Sequence, residues 1–220
     1  MKKIIVIVEG RAEVEFIKKI LMPYLASQGI SQAILPIPIS TSSLQKGGFS
    51  NYEYFQNDIT KNLRSNTNII VTTFVDFFKF PKKNFPNENC FEKNGTDAMI
   101  DCIKSTMTTQ FNDNRLIPYV QRHEFEALLF STNKGFLKYF DSKQSKATER
   151  IIQQFPNPED INTSPQTAPS KRLEAINSKY KKVVLGILIA QEIGIETILQ
   201  KCPRFAAWVQ QLIDRTKELP

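Results

Sequence analysis

A chain of 220 residues and 25.2 kDa can bury a full hydrophobic core in one large domain, or one domain with an appendage. Hydrophobic residues at 41% and charged residues at 23% exclude a disordered chain, and 3 cysteines without a CxxC pair speak against a disulfide framework or a structural zinc site. The 29 basic against 22 acidic residues give a net charge of +7, which favours a polyanionic partner, nucleic acid before membrane.

Lys3 to Val8 is β-branched and apolar throughout, the pattern of a strand covered on both sides. Its apolar run ends at Glu9, too soon for a signal sequence. The later run Val183 to Ala190 falls far short of the ~20 residues that span a bilayer. A soluble, cytoplasmic protein is expected, with Cys90, Cys102 and Cys202 as buried or inert thiols in a reducing compartment.

Gly10 breaks the strand, and Val14, Ile17, Leu21 and Leu25 predict a helix from Arg11 to Ser27 that stops at Gly29. Ala33 to Ile39 reads as a second strand carrying Pro36 and Pro38. A polar loop from Ser40 to Ser50 holds Lys46-Gly47-Gly48, and Ser50 caps a predicted helix through Ser65. Asn68 to Val75 is a third strand ending at Asp76, followed by an irregular loop to Gly95. Thr96 is the expected cap of a helix to Phe111. Leu116 to Val120 is a fourth strand, and Glu124 to Phe130 begins another helix.

This alternation implies an α/β fold with a mostly parallel four-stranded sheet and right-handed crossovers over residues 1–131. The remainder, 132–220, reads as a helical subdomain packed on that core. Its predicted helices cover Ser142 to Phe155, Lys171 to Ser178, Lys182 to Ile193 and Pro203 to Thr216, with a Pro- and Ser-rich loop from Pro156 to Pro169.

Ligand sites in such sheets lie beyond the carboxyl ends of the strands. Glu9, Asp76 and Arg122-His123-Glu124 all fall there by this reading. Glu9 and Glu13, four residues apart across a glycine turn, form a carboxylate pair suited to a hard divalent cation; the alternative for Glu13 is pairing with the helix dipole. His123 is the lone histidine, a candidate general base, and the HExxH zinc motif is absent because Ala127 stands at its second histidine position. Glu124 and Glu126 diverge on a helix, and Glu124, nearer the strand end, is the one favoured for the site. Lys46, Lys79, Arg122, Lys171, Arg172 and Lys182 are the candidate contacts to a nucleic-acid backbone, with helical spacing gathering Lys171, Lys179 and Lys182 on one side. A nucleophile elbow, a kinase signature and a Walker A loop are all missing, which speaks against nucleotide hydrolysis by this chain alone.

Val8-Glu9-Gly10 followed by Glu13, with Asp76 closing a later strand, resembles the TOPRIM core shared by topoisomerases, primases and the OLD-family nucleases. Nearly the whole chain is similar to a bacterial family catalogued as domain of unknown function 4276. The resemblance is carried by Val75-Asp76-Phe77, Ile117-Pro118-Tyr119, the run His123 to Phe130, Pro169-Ser170-Lys171-Arg172, Cys202-Pro203-Arg204-Phe205 and Trp208. It implies a TOPRIM-like fold, Mg²⁺ or Mn²⁺ held by Glu9, Glu13 and Asp76, and cleavage of DNA or RNA; from the residues themselves, His123 or Glu124 is expected to complete the site. It also implies an ABC-like ATPase partner and a setting in defence against phage. One position departs from the pattern: Phe78 stands where TOPRIM proteins carry the second acid of Asp-x-Asp. Loss of that acid favours a rival expectation, a non-catalytic effector or sensor binding nucleic acid or an ATPase.

Overall fold

Burial on both faces makes Lys3–Val8 the central strand, β1, exposed only at Lys3. It pairs in parallel with β2 (Ala33–Pro38) on one side and β3 (Ile69–Asp76) on the other. Two short strands, β4 (Leu116–Ile117) and β5 (Val120–Gln121), both lie parallel to β3. The order β2-β1-β3-β4, with β5 also on β3, makes an all-parallel sheet of five strands rather than four. The computed structural model describes residues 3–40, 49, 51–78, 80–161 and 164–218. Lys46-Gly47-Gly48, Ser50 and Lys79 lie outside the described residues.

Pro36 and Pro38 fit β2 because it is an edge strand. The Ile39 N–H donates to the Val8 carbonyl at 2.9 Å, so alternate residues turn their N–H towards β1 and the two prolines occupy the outward positions. The fourth predicted strand divides at Pro118-Tyr119. Proline has no N–H for the ladder, and two β3 hydroxyls take over there. Thr72 Oγ1 donates to the Ile117 carbonyl at 2.6 Å, while Thr73 Oγ1 donates to the Tyr119 carbonyl at 2.7 Å and accepts the Tyr119 N–H at 2.8 Å.

The chain forms two compact units: Met1–Val14, Gly29–Arg122 and Gln211–Pro220 make the first, and Glu15–Gln28 with His123–Gln210 the second. This partition sets residues 123–131 with the helices and the last turns of the chain with the sheet, where the sequence suggests a division at 131.

In the first unit α3 (Tyr52–Ser65) and α4 (Thr96–Phe111) cover one face of the sheet. Ile5, Ile7, Val71, Val75 and Val120 pack there against Tyr52, Phe55, Ile59, Ile100, Ile103 and Met107. Asn51 is the N-cap of α3, its side chain accepting the Glu53 N–H at 2.9 Å, and Gly95 precedes α4 at the position expected of Thr96. Cys90 and Cys102 are disulfide-bonded, which corrects the expectation of free thiols; Cys202 is free and buried, its thiol pushed up to about 12 by burial.

The predicted helix from Arg11 to Ser27 comprises α1 (Arg11–Phe16), a π-helical turn Ile17–Leu21 and α2 (Met22–Ser27). Pro23 lacks the N–H that would bond to Lys19, and a one-residue bulge is how a helix absorbs such a loss. Gly29, at φ +83°, ends the run as predicted.

The second unit is helical. At its centre Phe125–Ser131 forms a 3₁₀ helix in which every residue is buried. Around it pack α6 (Ser142–Gln154), α7 (Pro169–Ile176), α8 (Ile187–Ile193) and α9 (Ile195–Lys201). A short helix, α5 (Lys134–Tyr139), and α9 are additions to the predicted elements. The last helix, α10, is Pro203–Glu218. Glu159, in the loop before α7 and fully buried, accepts the Arg204 and Phe205 N–H groups at 2.8 and 3.0 Å and so caps α10. Among the described residues, no single helix is long and apolar enough to cross a membrane.

Candidate metal centre

Glu9 and Asp76 leave the two central strands at the same edge. Val8 is in register with Phe74, so Glu9 follows β1 at the level where β3 reaches Val75 and Asp76. Asp76 is 2% exposed and Glu13 3% exposed. The Glu13 carboxylate turns back along α1 towards its start, with Oε2 3.5 Å from where a Cβ on Gly10 would stand. A side chain at position 10 would meet that carboxylate only at ordinary contact distance, and the Gly10 backbone is not in the left-handed region. Glu9 Oε2 and Glu13 Oε1 are both buried oxygens.

Carboxylate oxygens are hard donors, and Mg²⁺ is commonly held by one or two of them while keeping several waters. An all-carboxylate donor set fits a hard divalent cation such as Mg²⁺. Among the described residues, no group of three His, Cys, Asp or Glu side chains is arranged as a metal cage. Phe78, at the place of the second acid, is 44% exposed.

Beside Asp76 stands a residue that sequence reasoning passes over. Gln121 is the Cα partner of Asp76 across β3 and β5 and is fully buried. A lone glutamine carries no motif; its value comes only from the register. Next to it, Arg122 Nε lies 3.4 Å from Asp97 Oδ1 at the start of α4, with its side chain only 20% exposed. It is less open to a polyanion than its sequence position suggests.

The other sequence candidates belong to the second unit. His123 is buried. Glu124 Oε2 accepts the Ser170 N–H at 2.9 Å, which makes it a carboxylate cap on the first turn of α7. Glu126 is fully buried, 3.1 Å from Lys182 Nζ, and Lys182 also lies 4.9 Å from the Phe125 ring centre. Burial pushes the Glu126 carboxyl up to about 7, against the opposing pull of Lys182 and with a further push from Glu124. Tyr180, also buried, has its hydroxyl raised well above the ordinary range by burial and then by Glu126.

Lys171 makes an exposed ion pair with Glu174 at 2.7 Å. Arg172 Nε donates to the Thr167 carbonyl at 2.8 Å, and its guanidinium lies 5.2 Å from the Phe155 ring centre. The gathering of Lys171, Lys179 and Lys182 by helical spacing does not occur. The chain leaves α7 after Ile176, turns, and restarts as a π-helical turn at Lys182.

No curated protein matches the chain. Among solved structures, the C-terminal region of the Xanthomonas campestris pv. campestris OLD protein is similar at 13% identity and a TM-score of 0.47, over 98% of this chain and 94% of that one. The family described as domain of unknown function (DUF4276) matches residues 8–213. The chain belongs to that family.

Proposed function

We propose that this protein is a Mg²⁺- or Mn²⁺-dependent nuclease of TOPRIM type, hydrolysing phosphodiester bonds of DNA or RNA. One observation carries the reading: Glu9 and Asp76 end adjacent central strands of a parallel sheet, at the edge where such sheets bind ligands. Glu9 and Asp76 would hold the cation, and Glu13, buried against Gly10, would orient a water by accepting its hydrogen. When bound, such a cation makes a hydroxide nucleophile available at neutral pH and offsets charge on the phosphate. The net charge of +7 supports a polyanionic substrate. By resemblance, the proposal extends to an ABC-like ATPase partner in defence against phage.

Incubation with Mn²⁺ and plasmid DNA or single-stranded RNA is expected to give cleavage. Glu9→Gln should slow it on the order of a hundredfold, since even outer-shell losses at metal sites cost 10- to 100-fold. Cleavage unchanged in Glu9→Gln would contradict the proposal.

A second reading has its own support. Phe78 in place of an acid, and the lack of a three-ligand group among the described residues, favour a non-catalytic effector that binds nucleic acid or an ATPase. It predicts that the wild-type chain binds a labelled oligonucleotide, leaves it intact with Mn²⁺, and binds it equally well as Glu9→Gln.

A further inference from the structure

We propose that the side-chain amide of Gln121 is a phosphate-oxygen donor at the carboxyl edge of the sheet, beside Asp76. Asp76 and Gln121 are register partners on neighbouring parallel strands, so their side chains leave the same face at the same level. Gln121 is fully buried, and its two ends are treated differently. The Tyr119 hydroxyl donates to Gln121 Oε1, whereas Nε2 makes no hydrogen bond among the described residues. The Gln121 backbone carbonyl is engaged separately, accepting the Phe77 N–H at 2.8 Å. Buried amide donors are nearly always paired, and this one is left to an acceptor that the side chains and backbone of the described residues do not supply.

The mounting is rigid. Tyr119 stacks on Phe74, ring centres 5.9 Å apart and planes at 16°, and its backbone is held at both N–H and carbonyl by Thr73 Oγ1. A tyrosine fixed in this way sets the direction of the Gln121 amide. An uncharged donor also suits the place. A lysine or arginine beside Asp76 would pair with that carboxylate and compete with a cation for it. An amide offers N–H groups to an anionic oxygen without neutralising Asp76. The identity of the anion as a phosphoryl oxygen rests on the nuclease reading; the availability of the donor does not.

The test is an NMR titration of the full ¹⁵N-labelled chain with inorganic phosphate, with and without Mg²⁺. The Gln121 side-chain amide signals are assigned by their loss in Gln121→Met. Saturable movement of those signals in either condition is expected. Gln121→Met and Gln121→Glu should weaken phosphate binding by about ten- to a hundredfold, the range for a hydrogen bond to a charged group. Tyr119→Phe, which frees the amide but leaves its donors, should weaken it less. Signals that stay still in both conditions, in a chain whose other resonances show it folded, would overturn the proposal. Mn²⁺ binding by the wild-type chain, measured in parallel, judges the metal reading by itself. Gln121 signals that move in a chain without metal affinity would keep this donor and sink that reading.

Discussion

Glu124 and Glu126 show at the scale of single residues what two positions of separation do. The sequence places them on diverging sides of one turn, and they do diverge: Glu124 caps α7 through Ser170, and Glu126 turns inward to Lys182. Which of them carries an unusual charge state was not legible, because burial depends on helices that follow much later in the chain. Glu126 gives a directional prediction. Its folded carboxyl, at about 7, lies above the ordinary value of 4.5, so the folded protein keeps a proton that the unfolded chain releases. The contribution to stability is therefore full below about pH 4.5, is lost as pH rises to about 7, and is constant beyond, with a span on the order of 3 kcal/mol. Glu126→Gln should level that part of the pH profile, with thermal melting between pH 4.5 and 8 as the measurement. Lys182, one-third exposed, can turn to solvent in the variant. A profile of unchanged slope would mean that Glu126 stays charged in the fold.

Individual elements were legible wherever local pattern decides them. The β-branched runs at Lys3–Val8 and Ile69–Asp76 are strands, and Gly29 ends its helix. Departures occur where proline meets a hydrogen-bonding ladder. Pro23 coincides with a π-helical turn, and Pro118 splits one predicted strand into β4 and β5, with Thr72 and Thr73 hydroxyls closing the gap. Cys90 and Cys102 could not be paired from spacing alone, since their proximity depends on the segment after β3 folding back on α4. Their bond closes a short loop, with a sequence separation of 12. Chain-entropy arguments put the stabilisation at about 3 kcal/mol. Cys102→Ser, or added reductant, should lower the denaturant midpoint accordingly and increase proteolysis between residues 77 and 95. No change under reductant, with both thiols shown to be free, would remove the bond from the account of stability.

For the molecule as a whole, alternating strand and helix patterns were enough to expect a parallel sheet, and the rule that ligands gather beyond strand ends directs attention to its carboxyl edge. Glu9 and Asp76 lie at the carboxyl edge because the two central strands end together, a consequence of register that the sequence only suggests, while Glu13 stands in α1. The grouping of the chain into units was harder to read. The second unit takes up residues 15–28 from the first helical run, and the first reclaims the end of α10, exchanges that no local signal marks. The central claim is that Glu9 and Asp76 hold one divalent cation. It is tested most directly by soaking crystals in Mn²⁺ and collecting anomalous diffraction from the wild-type chain and from Asp76→Asn. An anomalous peak between Glu9 and Asp76 that disappears in the variant is the expected result. A wild-type map without a peak there at high Mn²⁺, or a peak that persists in Asp76→Asn, would contradict it.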